Sequence, residues 1–375
     1  MRFRSQLNNI NTFAKYTASL SSLGKICWVR LEDEVVRFTV VPDQGTQVWG
    51  QLPIDTVFES YSISSASGVI NIEVPIGALH RALRSAIGAN SAQLRLTKKG
   101  SIPLLALTVV TSSWTSGKNA LGVGNGNNIN NDSSGNFSGV ALQGSTQLES
   151  AAAHTNQPDG PRQRETVITQ EIPIRVLPPS AVEGLHEPRC RSPDIYIVLP
   201  SLIQLKSISE RFTKLAMDSA AKTFLNSSTT GLPSTQGVGA GAANSSSSPK
   251  LELSANMHGS LKLAIATDTL RISSVWTGLV NPPLDPAQLS QDELEQLPNE
   301  RMRELGGENG EAEEGWAKVR IDGKDWGRVL SVGRLSPKVV ACFVHDTGLI
   351  LYVYLPDSES GEDSCLTYYI NSYAA

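Results

Sequence analysis

The sequence predicts an α+β fold of two tandem subdomains, each built from antiparallel sheet and two helices. Outside three polar segments, the same order of helices and short β-rich runs occurs twice along the 375 residues. Several β-rich runs alternate apolar and polar residues, which is typical of sheets with one solvent-exposed face. Hydrophobic residues make up 40% of the chain, enough to form a sizeable core.

The first half contains two predicted helices separated by β-rich runs. The helices span 8–23 and 76–88, because apolar residues recur on one face of each at helical spacing. The residues expected on the buried faces are Ile10, Phe13, Thr17 and Leu20 in the first helix and Ile76, Leu79, Leu83 and Ile87 in the second. The β-rich runs are 25–32, 34–41, 46–52, 69–74, 92–98, 103–110 and 166–176.

The second half repeats this order. Its predicted helices span 201–217 and 323–334. Their expected buried residues are Leu202, Leu205, Ile208, Phe212 and Leu215 in the longer helix and Trp326, Val329 and Leu330 in the shorter one. The β-rich runs are 194–199, 250–256, 261–267, 270–276, 317–321, 338–344, 349–355 and 365–370.

Composition divides the chain into two subdomains and a connector. The first subdomain is 1–176, the proline-containing segment 177–193 is an extended connector, and the second subdomain is 194–375. Three flexible insertions are expected at 112–164, 226–249 and 285–314. They are rich in Gly, Ser and Asn or in acidic residues, so they bury too little apolar surface to offset the entropy of ordering.

Charge and cysteine content exclude several classes of protein. The net charge of −4 excludes a wholly basic protein, so any contact with nucleic acid must come from a local patch. Cys27, Cys190, Cys342 and Cys365 form no C-x-x-C pair, and the five histidines show no metal-ligand spacing. We therefore expect buried thiols in a reducing compartment, and neither a metal nor another cofactor. No signal peptide or membrane span is predicted, which favours the cytosol or the nucleus.

Positive charge is concentrated on the four predicted helices. Within 8–23, 76–88, 200–217 and 323–334 the only carboxylates are Glu210 and Asp325. The cations in these spans are Lys15, Arg81, Arg84, Lys206, Arg211, Lys214, Lys324, Arg328 and Arg334. Most fall on the polar face of their helix, among hydroxyl or glycine neighbours. This pattern predicts a contact surface for phosphates, while the alternative is an ordinary solvated helix face.

Catalytic motifs are weak. His345 and Asp346 lie between two β-rich runs, as in a turn, and Asp268 ends another run. The chain has no G-x-S-x-G nucleophile elbow and no Walker-type phosphate loop. We therefore predict that the protein is not an enzyme. The competing hypothesis is a β-rich hydrolase that uses Asp268 or His345.

Several strings, in this order and spacing, resemble a known family. They are MRFRSQL at the start, IPIRVLPP at 172–179, EPRCRSPDIYIVLP at 187–200, NPPL at 281–284 and CFVHDTGLILYVYLP at 342–356. Together with the tandem organisation, they resemble the PCNA-like sliding clamps. More narrowly, they resemble the Hus-type subunit of the heterotrimeric DNA-damage checkpoint clamp, the nine-one-one complex.

The resemblance implies a PCNA-like DNA clamp. In this fold, curved antiparallel sheets form the outer wall of a ring, and the helices line the hole through which duplex DNA passes. The nine helical cations would then be the DNA-facing residues. The family has no catalytic residues to transfer to this chain.

The resemblance also implies partners. They are two other checkpoint-clamp subunits, sequence-independent duplex DNA, an ATP-driven clamp loader, and repair and signalling proteins, all in the nucleus. Partner peptides would bind near the connector, and the ring would close through strand edges at 103–110 and 261–276. A homotrimeric PCNA-type replication clamp is the neighbouring alternative.

Overall fold

The computed structural model describes residues 1–43, 45–115, 162–227, 249–282, 297–355 and 365–373, of which 113–115, 162–164 and 220–227 are described by backbone alone. The first half contains strands β1 Arg2–Leu7, β2 Ile26–Leu31, β3 Val35–Val40, β4 Gln47–Pro53, β5 Phe58–Ser64, β6 Ile70–Pro75, β7 Ser91–Lys99, β8 Ile102–Thr115, β9 Arg162–Pro173 and β10 Arg175–Leu177. The second half contains β11 Ile195–Val198, β12 Lys250–Asn256, β13 Leu261–Ala266, β14 Arg271–Trp276, β15 Trp316–Asp322, β16 Val339–Val344, β17 Gly348–Tyr354 and β18 Cys365–Asn371.

The described helices are few and mostly short. They are α1 Ile10–Ser21, α2 Ile54–Val57, α3 Ile76–Ser85, α4 Leu202–Ser227, α5 Pro298–Leu305 and α6 Gly323–Val329. A 3₁₀ segment, Leu330–Arg334, continues α6. The structure therefore confirms the α+β class and the four helices predicted from periodicity.

The strands form three antiparallel sheets. A five-stranded sheet has the order β5-β1-β7-β8-β9, and a four-stranded sheet has the order β14-β13-β12-β15. Between them runs a nine-stranded sheet with the order β10-β6-β2-β3-β4-β18-β17-β16-β11. The pairing of β4 with β18 makes this sheet continuous across the two halves of the chain.

One contiguous hydrophobic core lies between the sheets and the helices. On the inner face of the nine-stranded sheet, Phe38 contacts Phe13 and Tyr16 of α1 through edge-to-face ring pairs. The opposite face of the same strand carries Arg37 and Thr39, which lie beneath the connector. The helices and the connector are therefore on opposite sides of this sheet.

Two residues predicted on buried helix faces are exposed. Ile87 lies beyond the end of α3, where Gly88 adopts a positive φ of 83° and turns the chain away. On α4, Leu215 is exposed and Ala216 is buried. Because an α-helix has 3.6 residues per turn, the buried face that includes Leu202 reaches Ala216 about four turns later. The predicted set of buried residues assigned Leu215 to that face instead. The helix also extends ten residues beyond the predicted end at 217, to Ser227.

The expected flexible insertion at 285–314 is wrong for its second part. Helix α5 begins with Pro298 at its first turn, buries Asn299 and packs Met302 against the core. The segment that follows is held by Gly310, whose carbonyl oxygen accepts from Asn256 Nδ2 at 2.9 Å and from Trp316 Nε1 at 3.0 Å. Residues 283–296 lie outside the described residues.

The boundaries of the other two insertions also differ from the prediction. Residues 112–115 and 162–164 belong to β8 and β9, which pair with each other as far as Thr115 and Arg162. Residues 226–227 belong to α4. The remainder of these insertions, 116–161 and 228–248, lies outside the described residues.

Side chains also join the two halves beneath the β4–β18 pair. Thr46 Oγ1 donates to Asp325 Oδ2 at 2.6 Å, which ties the loop before β4 to α6. Ser22 Oγ, at the end of α1, lies 3.4 Å from the carbonyl oxygen of Arg328 and 3.3 Å from Ser331 Oγ. The helices of the two halves therefore form one continuous layer.

Candidate nucleic-acid interface

Four helices form this layer in the order α3, α1, α6 with its 3₁₀ extension, and α4. His80 on α3 is bonded through Nδ1 to the carbonyl oxygen of Ala14 on α1, at 3.0 Å. In the second half, buried Trp326 on α6 donates from Nε1 to Ser209 Oγ on α4, at 3.2 Å. These contacts fix the rotation of each helix, and therefore which of its side chains face solvent.

The structure exposes eight of the nine predicted DNA-facing cations. Lys206 is the exception, since its side chain is 31% exposed and its Nζ lies 3.8 Å from Glu210 Oε1. The exposed residues are Lys15, Arg81, Arg84, Arg211, Lys214, Lys324, Arg328 and Arg334. None of these eight forms an ion pair with another residue that the structure describes. Their charge is therefore available to an outside anion.

Four of the nine cations meet around one cleft between α4 and α6. The cleft holds about 660 Å³. Lys206, Lys214, Lys324 and Arg328 line it, together with hydroxyl groups of Ser22, Thr213 and Ser331. Arg81 and Arg84 lie on α3, on the far side of α1, and are not part of this cleft. The cations therefore extend across the layer rather than forming a single pocket.

The carboxylates near the layer are few, and two of them have structural roles. Asp325 accepts from Thr46, as described above. Asp322 caps α6 by accepting from the backbone N–H groups of Lys324 and Asp325. Burial opposes ionisation of Asp322, but these hydrogen bonds and the ammonium of Lys250 at 3.1 Å outweigh it and lower its pKa below the ordinary value of 3.8. Glu210 and Asp218 on α4 remain beside the cleft.

A second cleft lies on the opposite side of the nine-stranded sheet. It holds about 560 Å³ between the outer sheet face and the connector. Trp28 and Trp49 line it from the sheet, and Leu177, Val182 and Leu185 line it from the connector. Sequence reasoning placed partner peptides near the connector but named no residue. In β2 and β4, buried and outward side chains alternate, and Trp28 and Trp49 fall at outward positions. Two tryptophans at such positions are the sequence signal that would have identified this cleft.

Three of the four cysteines are partly or fully buried, and His345 is hydrogen-bonded within the turn between β16 and β17. Burial raises the pKa of the Cys27 and Cys342 thiols to about 12 each and that of Cys365 to about 11. Cys190 is exposed, so the expectation of four buried thiols is wrong there, because the extended connector leaves this residue on the surface. His345 Nδ1 accepts from the backbone N–H of Lys318 at 3.0 Å, which gives it a structural role in the turn.

The described part of the chain contains neither a cluster of metal ligands nor a membrane-spanning helix. No three His, Cys, Asp or Glu side chains there come together in a way that would hold a metal ion. Among the helices of that part, none combines the length and the apolar character needed to cross a bilayer.

The fold and its layer of helices define a protein of the sliding-clamp class. PCNA from Thermococcus kodakaraensis matches with a TM-score of 0.53 at 13% identity, over 99% of this chain and 100% of that chain. The PCNA2–PCNA3 complex from Sulfolobus tokodaii matches with a TM-score of 0.51 at 12% identity, again over 99% of this chain and 100% of the other. At these identities the likeness shows the fold, and it confirms the predicted PCNA-like clamp.

The chain belongs to the Hus1-like protein family, whose family model matches residues 1–374. Checkpoint protein hus1 of Schizosaccharomyces pombe is 30% identical over 375 residues, which cover 100% of this chain and 99% of that protein. Checkpoint protein HUS1 of Homo sapiens is 21% identical over 301 residues, covering 78% of this chain and 79% of that one. The resemblance inferred from the sequence is thus confirmed, and the chain is a member of the Hus1-like family with a clamp fold.

Proposed function

We propose that this protein is a non-enzymatic subunit of a heterotrimeric ring that encircles duplex DNA in the nucleus. Two other checkpoint-clamp subunits would complete the ring. One observation carries the proposal: the exposed, unpaired cations of four helices share a single layer, on the side of the nine-stranded sheet opposite the connector. Such a layer suits the inner wall of a ring.

The chemistry of the layer fits contact with DNA without sequence recognition. Lysine, arginine and hydroxyl groups bind phosphate oxygens, which are the same at every base pair. A closed ring is retained by topology, so its lining needs only moderate attraction for phosphates and can slide. The mixture of cations with Ser22, Thr213 and Ser331 around the α4–α6 cleft meets that requirement.

Ring closure would use the strand edges that the fold leaves free. Edge β15 is covered, since its backbone groups at Lys318 and Arg320 bond to the β16–β17 turn and to Ser372 and Tyr373. Edge β5 is interrupted by a bulge at Ser60, which has a positive φ of 51°. Strands β10 and β11 are only three and four residues long.

Two long edges remain, β9 in the five-stranded sheet and β14 in the four-stranded sheet. They expose Val167 and Ile168 on β9 and Val275 on β14. An unpaired edge with exposed apolar side chains is a template for a strand of another chain. The prediction of a free strand edge at 103–110 is wrong, because β8 is paired on both sides, with β7 and β9. The expected edge at 261–276 is right only for β14, since β13 is also paired on both sides.

The cleft between the outer face of the nine-stranded sheet and the connector, here called the connector cleft, is the proposed docking site for peptides of repair and signalling proteins. Its two tryptophans and three connector aliphatic residues offer apolar contacts, and the outward Arg30, Arg37 and Glu32 offer polar ones. This cleft lies on the outside of the proposed ring and would stay accessible after DNA is enclosed. An ATP-driven loader would open and close the ring.

The DNA-lining proposal is tested by reversing charge on the layer. Arg81, Arg84, Arg211 and Lys214 are changed together to Glu, and the ring is assembled with its two related subunits. We expect affinity for a linear duplex to fall at least about tenfold, with a shallower dependence on salt, because fewer phosphates are neutralised. Unfolding temperature should change little, since all four side chains are exposed.

The control variant reverses four exposed cations outside the layer, Lys98, Arg189, Arg301 and Lys338. It should bind DNA much more tightly than the layer variant. Equal DNA binding by the layer variant and the unmodified ring would refute the lining. Size-exclusion chromatography of this chain, with and without related subunits, separates the two ring types: a stable trimer formed by this chain alone would favour the homotrimeric replication clamp.

A further inference from the structure

The outward face of the five-stranded sheet carries a row of cations that the DNA-lining proposal does not use. Strand β1 alternates strictly between exposed and buried residues, with Phe3, Ser5 and Leu7 buried. The outward positions of β1 and β7 are occupied by Arg2, Arg4, Arg95 and Lys99, all exposed. This outer cation row faces away from the core, and therefore away from the layer of helices.

Two of these cations stand directly opposite each other. Arg4 is the cross-strand partner of Arg95 in the β1–β7 pair. Like charges in directly opposed positions destabilise a sheet. The Gln93 amide, turned so that its oxygen faces β1, accepts from Nε and Nη2 of Arg4 at 3.1 Å each. That neutral group orients the Arg4 guanidinium without neutralising it.

Among the strands that the structure describes, the same arrangement of opposed arginines occurs once more, with one difference. On the outer face of the nine-stranded sheet, Arg30 stands opposite Arg37 in the β2–β3 pair. There the carboxylate of Glu32 contacts both guanidinium groups, reaching Arg37 Nε at 3.3 Å. The outward Arg175 and Arg320 are likewise paired with the carboxylates of Glu73 and Glu252.

The outer cation row has no such carboxylate. None of its four cations forms an ion pair with a residue that the structure describes. The nearest acidic residues in register are Glu171, two strands from Arg95, and Glu59, opposite Gln6. The position that Glu32 fills between Arg30 and Arg37 is therefore left to an outside anion at Arg4 and Arg95.

Neighbouring hydroxyl groups indicate which anion fits. Ser62 and Ser64 on β5 are exposed and stand opposite Arg4 and Arg2. Two guanidinium groups, two further cations and two hydroxyl donors exceed what one carboxylate can accept. A phosphate monoester carries close to two negative charges and three acceptor oxygens, which matches this set of donors.

We propose that the outer cation row is a docking site for a partner protein segment that carries phosphoserine or phosphothreonine. Single-stranded nucleic acid is the weaker fit, because binding it without sequence preference normally uses aromatic side chains on which bases stack. On this face, none of the side chains that the structure describes is aromatic. An extended phosphopeptide needs only the cations and hydroxyls present.

The test measures binding of a fluorescent acidic peptide with two phosphoserines two residues apart, its unphosphorylated twin, and a twelve-residue oligothymidylate. The full-length protein is compared with the double variant Arg4→Gln/Arg95→Gln and with the control Arg175→Gln/Arg320→Gln, whose guanidinium groups are paired with carboxylates and do not line the cleft beneath the connector. We expect the phosphopeptide to bind at least about tenfold more tightly than its twin, and Arg4→Gln/Arg95→Gln to abolish that difference. The control variant should keep it.

Thermal unfolding distinguishes a binding role from a structural one. Removing the opposed charges should leave the melting temperature of Arg4→Gln/Arg95→Gln unchanged or slightly raised, while binding is lost. Failure of the unmodified protein to prefer the phosphopeptide would overturn the proposal, as would equal binding by the variant. Tighter binding of the oligothymidylate with the same arginine dependence would assign the row to nucleic acid and would also overturn it.

Discussion

Gly50 lies where α1 packs tightly against the nine-stranded sheet. A side chain there would overlap the hydroxyl of Tyr16 and the Leu366 side chain on the paired strand β18. Tyr16 is fully buried, and burial raises its pKa well above the ordinary value, so the hydroxyl stays neutral. The contact positions α1, and with it the exposed face that carries Lys15.

We predict that Gly50→Ala lowers the free energy of unfolding by about 1–3 kcal/mol, the usual cost of overpacking a filled core. Gly327→Ala on α6 is the matched control, because a Cβ there meets nothing within 4 Å. It should raise stability by about 0.5–1 kcal/mol through the lower helix propensity of glycine. Urea denaturation of both variants measures the difference, and similar effects for the two would contradict this packing.

At the residue scale, sequence reasoning predicted the solvent exposure of a side chain correctly where its position on the helix and its charge both indicated the polar face. Arg81, Arg84 and Arg211 are exposed as expected, since a cation on the polar face of an amphipathic helix has little alternative. It did not predict which cations share the α4–α6 cleft. That depends on the packing of two helices whose cleft-lining residues Lys214 and Lys324 are 110 residues apart in sequence, and no local pattern contains it.

At the element scale, two strands escaped prediction for physical reasons. In β1 the buried face includes Ser5, whose hydroxyl donates to the carbonyl oxygen of Glu59 at 3.0 Å, so the apolar alternation is broken by a polar residue. In β5 the bulge at Ser60 inserts one residue, which interrupts the two-residue alternation of side chains between the faces of the strand. Helix α5 was hidden by its acidic surroundings, because it carries few apolar residues that pack against the core, Met302 among them.

The free edges give a prediction at the same scale. Val167→Asp on β9 and Val275→Asp on β14 should each prevent association with one neighbouring subunit, because a charge at an edge opposes the addition of a strand. Both positions are exposed, so the isolated chain should fold normally. Native mass spectrometry of the reconstituted ring measures assembly.

Ser62→Asp, on the bulged edge strand β5, is the matched control for assembly. It should leave the ring intact, because that edge is not expected to receive a partner. Normal trimers with both valine variants would show that the ring closes through other surfaces.

At the scale of the whole molecule, the two halves form one continuous wall. They share the nine-stranded sheet, one core and a continuous layer of helices. Charge differs between the two sides of this wall. Unpaired cations occupy the helix layer, while most arginines on the outer faces of the nine-stranded and four-stranded sheets are paired with carboxylates. A chain with a net charge of −4 can therefore still present a locally positive surface.

The most direct test places a photo-reactive amino acid at position 211, on the helix layer, and separately at position 37, on the outer face of the sheet. The assembled ring is loaded onto nicked circular duplex DNA and irradiated. We predict covalent protein–DNA products from position 211 and none from position 37. Cross-linking from position 37 instead of position 211 would show that DNA lies outside the wall, and would contradict the assignment of the helix layer as the DNA-facing surface.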